Sequence, residues 1–83
     1  MKLIKIGRSS ANDIVISDAT VSSQHALITI LDSKEVRIKD LNSTNGTYVN
    51  GKRITAETTI VASDVIKVGN STVDWLKYLN ERK

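Results

Sequence analysis

The chain has 83 residues, with 12 basic and 9 acidic side chains, a formal charge of +3, and neither cysteine nor proline. A disulfide scaffold and a thiolate metal centre are excluded, and no run approaches the ~18 apolar residues of a membrane span. The basic residues are scattered, with Lys52-Arg53 and Arg82-Lys83 the only adjacent pairs, so there is no basic arm or stripe to suit nucleic acid.

Ile and Val dominate the apolar residues, Thr is abundant and Phe is absent, a composition that favours strands. Lys2–Ile6 alternates in period two and reads as the first strand; it is too short and too alternating for a signal peptide. Ala26–Leu31 is the second, with Ile28 and Ile30 on one face. Asp32-Ser33-Lys34 makes a tight turn into the clearest run, Glu35–Leu41, where Val36 and Ile38 point inward and Arg37 and Lys39 outward. Thr47–Val49 and Lys52–Ile54 flank Asn50-Gly51, a pair suited to a type I′ turn, which needs positive φ at both positions. Val65–Val68 and Ser71–Leu76 pair around Gly69-Asn70. The tail, Trp75–Leu79, is either a short C-terminal helix or the end of the last strand, with Trp75 packed on the body of the fold. Short strands at this turn spacing predict an all-β protein, an antiparallel β-sandwich of two twisted sheets with its loops clustered at the ends. Residues 1–83 are expected to form one domain, with stability on the order of a few kcal/mol.

The chemistry lies in three loops. Gly7-Arg8 follows the first strand; glycine permits close backbone approach, and arginine offers a planar fork of donors that matches phosphate. By themselves they are equally an exposed Arg beside a turn Gly. Val21-Ser22-Ser23-Gln24-His25 brings two hydroxyls and an amide to the start of a strand. His25, the one histidine in the chain, reads as a buried structural ring holding the loop through backbone groups, the alternatives being a phosphate ligand or a general base. Asn42-Ser43-Thr44-Asn45-Gly46 is a loop. Asn45 and Gly46 either simply supply positive φ, or Asn45 bonds the backbone of a bound peptide while Thr44 donates to phosphate.

The conjunction is more specific than its parts. From about Ile6 to Gly69 the chain resembles the forkhead-associated (FHA) domain. The matching text is Ile6-Gly7-Arg8-Ser9, Asn12-Asp13-Ile14-Val15-Ile16, Val21-Ser22 with His25-Ala26, and Asp40 through Gly51. The resemblance implies a phosphothreonine-peptide recognition module that is not an enzyme and needs no cofactor or metal. It implies that Arg8 and Ser22 bind phosphate oxygens and that Thr44 adds a phosphate or peptide contact. Ser23 stands where the family often carries Arg, Lys or Asn, and its hydroxyl supplies a shorter, uncharged contact to the same phosphate. Asn45 would hold the peptide main chain, Ser9 and Ser43 would line the pocket for flanking side chains, and Gly7, His25 and Gly46 would be architectural. The implied partners are a phosphothreonine-containing protein or peptide and, indirectly, a Ser/Thr kinase.

Family members usually carry a further strand and loop before the position of Gly7-Arg8, so an exposed sheet edge open to self-association is expected. This motivates an alternative, a structural or assembly domain that keeps the fold and ignores phosphate. A hydrolase built on Ser22 and His25 is disfavoured, because there is no Gly-x-Ser-x-Gly elbow and no acidic orienter at a suitable spacing. Neither nucleic acid nor membrane insertion by this segment is expected. The absence of cysteine fits a reducing, cytoplasmic compartment.

Overall fold

In the computed structural model, residues 1–78 are described. They form nine short strands: β1 Lys2–Gly7, β2 Ile14–Val15, β3 Ala26–Ile30, β4 Val36–Asp40, β5 Thr47–Val49, β6 Lys52–Arg53, β7 Thr58–Ile60, β8 Ile66–Val68 and β9 Ser71–Val73. One sheet has the order β2-β1-β3-β4-β7 and the other β6-β5-β8-β9. All pairings are antiparallel except β1 with β2, which run parallel through Ile6↔Ile14.

Alternation explains the core. The register sets Ile4, Ile28 and Ile38 side by side across three strands, and all three are buried, as are Ile6, Ile14 and Ile60 of the same sheet. Ile66, Val68 and Val73 face them from the second sheet, and Trp75 is buried with them at 2% exposure. The outward positions of the same strands carry Lys5, Leu27 and Lys39 in one cross-strand row. A one-residue slip would exchange the two sets of side chains, so the apolar face fixes the pairing.

The turns follow their residues. Asn50 and Gly51 both have positive φ, 53° and 84°, as a type I′ turn requires. The 32–34 turn closes with Lys34 at φ 77° and a Leu31 amide bond to the Glu35 carbonyl. Two strands were not foreseen. β2 has two residues and β7 carries one apolar residue in three, too little for any periodicity to register. The last strand stops at Val73 and a 3-10 turn, Leu76–Tyr78, follows, so the described part of the tail ends in one helical turn rather than in strand. Leu79 and Arg82-Lys83 lie outside the described residues.

The four edge strands, β2, β7, β6 and β9, have two or three residues each. Edges so short offer little template for another strand.

Candidate functional site

Four loops meet at one end of the sandwich: 8–13, 16–25, 41–46 and the β8–β9 turn at 69–70. Gly7 brings the first two together. A Cβ at Gly7 would lie 2.2 Å from the Ser23 carbonyl oxygen and 2.6 Å from Asn12 Nδ2, so only glycine lets the 22–23 segment cross the end of β1. The Arg8 amide donates to the Ser22 carbonyl at 2.9 Å, and Asn12 Nδ2 donates to the carbonyls of Ser23 at 2.7 Å and Ser9 at 2.9 Å. Gly7→Ala is therefore expected to cost about 1–3 kcal/mol by overpacking, read as a lower denaturant midpoint. An unchanged midpoint would show that the 22–23 segment has room to move.

His25 joins the second and third loops. Its ring is fully buried. Nδ1 accepts the Ser22 amide at 3.0 Å, which puts the proton on Nε2, and Nε2 donates to the Gly46 carbonyl at 2.7 Å. That carbonyl also accepts the Gly69 amide at 3.0 Å, so a single oxygen gathers three loops. Both ring nitrogens are taken by backbone groups, and neither is in place to receive the Ser22 hydroxyl proton. The nucleophile–base pair of a serine hydrolase is not assembled.

Beneath the third loop, Asp40 accepts bonds from the Ser43 amide at 3.0 Å, the Ser43 hydroxyl at 2.6 Å and the Thr47 hydroxyl at 2.7 Å. Desolvation pushes its carboxyl up, but the bonds from Ser43 and Thr47 together outweigh it and hold the pKa below the usual range. Ser43 Oγ in turn accepts the Gly46 amide at 3.0 Å. Thr44 and Asn45 are left projecting on the exposed side of the loop.

There they border a cavity of about 310 Å³ lined by Arg8, Ala19, Thr20, Val21, Ser22, Ser23, Thr44 and Asn45. Its only charge is the Arg8 guanidinium, which is exposed and makes no ion pair or hydrogen bond among the described residues. Ser22 Oγ accepts the Thr44 amide at 3.2 Å, which leaves the hydroxyl proton free to donate outward. A cation with a fork of donors, four hydroxyls (one of them, Thr20, already donating to Asp18) and no carboxylate complements a compact anion. A second cavity of about 370 Å³ shares Thr20 and Asn45 with the first and continues past Tyr48, Gly51, Lys67, Gly69 and Asn70. The two cavities adjoin at Thr20 and Asn45.

Of the residues singled out in the sequence, Arg8, Ser22, Ser23, Thr44 and Asn45 are brought together around the cavity, and Gly7, His25 and Gly46 lie beneath it. Ser9 and Ser43 are not among its lining residues. Ser9 Oγ accepts the Ala11 amide at 3.2 Å, and the Ser43 hydroxyl is turned inward to Asp40. Sequence reasoning missed Thr20, which lines both cavities, and Asp18 beneath it. The available signal was the Asp-x-Thr spacing, a local side-chain-to-backbone motif that resembles any other turn.

Comparison with known proteins gives the family and the fold. The sequence model of the FHA domain matches residues 4–69. The chain is 39% identical over 67 residues to the ABC transporter ATP-binding/permease protein Rv1747 of Mycobacterium tuberculosis, covering 81% of this chain and 8% of that protein. The crystal structure of the FHA domain of the CT664 protein from Chlamydia trachomatis superposes with a TM-score of 0.82 at 38% identity, over 86% of this chain and 72% of that one. Mycobacterium tuberculosis EmbR, solved in complex with a low-affinity phosphopeptide, superposes with a TM-score of 0.73 at 32% identity, over 86% of this chain and 21% of that one. The chain thus spans a small part of the larger relatives. With the family match running from β1 to the β8–β9 turn, this chain belongs to the FHA domain family.

Proposed function

We propose that the chain is a phosphothreonine-peptide recognition module that brings proteins together in response to a Ser/Thr kinase and performs no catalysis itself. The observation that carries this reading is the Arg8 guanidinium, without a partner among the described residues, set among the hydroxyls of Ser22, Ser23 and Thr44 in a cavity whose lining has no acidic residue. Arg8 would take two phosphate oxygens through its fork and Ser22 a third, with Thr44 and Ser23 adding neutral bonds. Asn45 would hold the peptide main chain as it leaves the phosphate. The 83 residues would act as one such unit within the cytoplasm, where ATP-dependent kinases supply the ligand.

Charge-assisted hydrogen bonds net about 1.5–3 kcal/mol each. Three or four of them, less association costs of several kcal/mol, correspond to micromolar affinity, about −8 kcal/mol. The ligand methyl adds only about 0.8 kcal/mol by burial, so preference for phosphothreonine over phosphoserine from this source is about fourfold.

An oriented phosphothreonine-peptide library, with unmodified threonine and phosphoserine controls, tests the reading. Micromolar binding confined to phosphorylated peptides is expected. Enrichment of acidic flanking residues is expected too, since Lys67 is the only charged residue lining the second cavity. Affinity should be full above the second phosphate pKa, near 6, and fall as pH drops from about 7.5 to 5.5, because the dianion is the form that Arg8 favours. Equal binding of phosphorylated and unmodified peptides would replace this reading with a phosphate-independent assembly role.

A further inference from the structure

The carboxylate of Asp18 ties together residues that are far apart in the chain. Its Oδ1 accepts the Thr20 amide and the Thr20 hydroxyl, both at 2.8 Å, and its Oδ2 accepts the Ser71 hydroxyl at 2.7 Å. Thr20 Oγ1, its proton given to Asp18, accepts the Asn70 amide at 2.9 Å. The Thr20 carbonyl accepts Asn45 Nδ2 at 2.7 Å. One acidic side chain thus links the 16–25 loop to the β8–β9 turn and, through one carbonyl, reaches the side-chain amide of Asn45. The Thr20 amide, followed by the Ser71 and Thr20 hydroxyls, holds the Asp18 carboxyl below the usual carboxylate range, so it is an acceptor throughout the neutral range.

The consequence concerns which way Asn45 faces. A side-chain amide has two N–H donors and one carbonyl, and the two ends are interchangeable in shape. With the Thr20 carbonyl taking one N–H, the amide cannot flip without setting oxygen against oxygen. Its other N–H and its oxygen are then presented in a fixed order. A peptide backbone offers a carbonyl and an amide in a fixed order as well, so one orientation of Asn45 suits it and the flipped one does not.

We propose that Asp18 is a positioning residue for recognition: through Thr20 it fixes the orientation of the Asn45 amide and hence the main-chain contact to the bound peptide. This rests on the phosphopeptide reading above and adds to it a residue that touches no ligand. Asp18→Asn keeps size and shape but removes the charge: the Ser71 hydroxyl can turn to accept from the new amide donor, while the two Thr20 bonds then go to a neutral oxygen, a weaker acceptor than a carboxylate. Thr20→Val removes the hydroxyl link and Thr20→Ser keeps it.

The test is a double-mutant cycle on phosphopeptide affinity, with side-chain amide NMR of the unliganded domain. Asp18→Asn and Thr20→Val are each expected to weaken binding by about five- to tenfold, through the weakening of the charge-assisted bonds to Thr20 in the first and the loss of the Thr20 hydroxyl bonds in the second. Thr20→Ser, which keeps the hydroxyl, should recover most of the affinity that Thr20→Val loses. In an Asn45→Ala background the Asp18→Asn effect should shrink below about twofold, since the group it positions is gone. The Asn45 side-chain N–H pair, split and protected in the unaltered domain, should collapse toward solvent-like shifts in Asp18→Asn. Additive losses in the cycle, or unchanged Asn45 signals, would overturn the proposal and leave Asp18 as a fold residue only. Should Asp18→Asn fail to fold, Thr20→Val carries the same cycle. If the unaltered domain showed no preference for phosphorylated peptide, the recognition reading would fall, while the Asn45 signals would still decide whether Asp18 sets that amide.

Discussion

Arg8→Ala is expected to lower phosphopeptide affinity by at least about a hundredfold while shifting stability by no more than about 0.5 kcal/mol. The two halves of this expectation have one origin. In the free domain the guanidinium is exposed and makes no bond among the described residues, so truncation removes nothing that holds the fold. What it contributes to the fold is its backbone amide, bonded to the Ser22 carbonyl at 2.9 Å, and alanine keeps that. In the complex the same side chain would supply two charge-assisted bonds, about 1.5–3 kcal/mol each, and about 1.4 kcal/mol corresponds to a tenfold change in affinity. Arg8→Lys separates charge from shape. It keeps the cation and loses the fork, and should fall between the two. Titration calorimetry beside a denaturant curve reads both quantities. Full affinity in a folded Arg8→Ala protein would reject the site.

His25→Ala is expected to act in the opposite way, through the fold first. The ring is fully buried and makes both of its bonds to backbone. Alanine leaves the Ser22 amide without its acceptor, takes one of two donors from the Gly46 carbonyl, and opens a cavity. An orphaned amide costs about 1–3 kcal/mol, and the lost packing adds a comparable amount. A chain of this size has only a few kcal/mol to lose, so a largely unfolded protein is expected by circular dichroism at about 25 °C. His25→Gln, which carries both a donor and an acceptor, should keep more of the fold. An Ala variant with an unchanged midpoint would show that the ring is not what joins the loops.

What could be read in the sequence follows from where the information lies. β3 and β4 were legible because five residues of alternation place Ile28 and Ile38 on one face without any knowledge of the partner strand. The Asn50-Gly51 turn was legible because its φ values are a property of two residues. β2 and β7 were not, since two or three residues carry no period and their pairing is set by β1 and β4. The cavity residues were legible as a set because Arg8, Ser22, Thr44 and Asn45 stand at the spacing of a known family. Ser43 shows the limit of that route. Its neighbours Thr44 and Asn45 face the cavity, but position in a loop does not say which side a hydroxyl takes, and Asp40 draws this one inward. Asp18 was invisible for a different reason: its bond to Ser71 spans 53 residues, and nothing local to either residue announces the other.

The Gly46 carbonyl, where His25 and Gly69 converge, bears on how recognition would behave over time. Loops joined through the interior cannot order themselves separately from the sheets that carry them. The loop backbone is then set before the ligand arrives, and only exposed side chains such as Arg8 are left to close on it. Association would be limited by diffusion and orientation rather than by rearrangement, and weak binding would show itself as rapid departure of the peptide. For a reader of a reversible modification this is a useful property. The complex would last only briefly after each encounter, so a phosphatase would regain access to the phosphothreonine each time the peptide leaves, and the assembly would follow the kinase signal down as promptly as it followed it up.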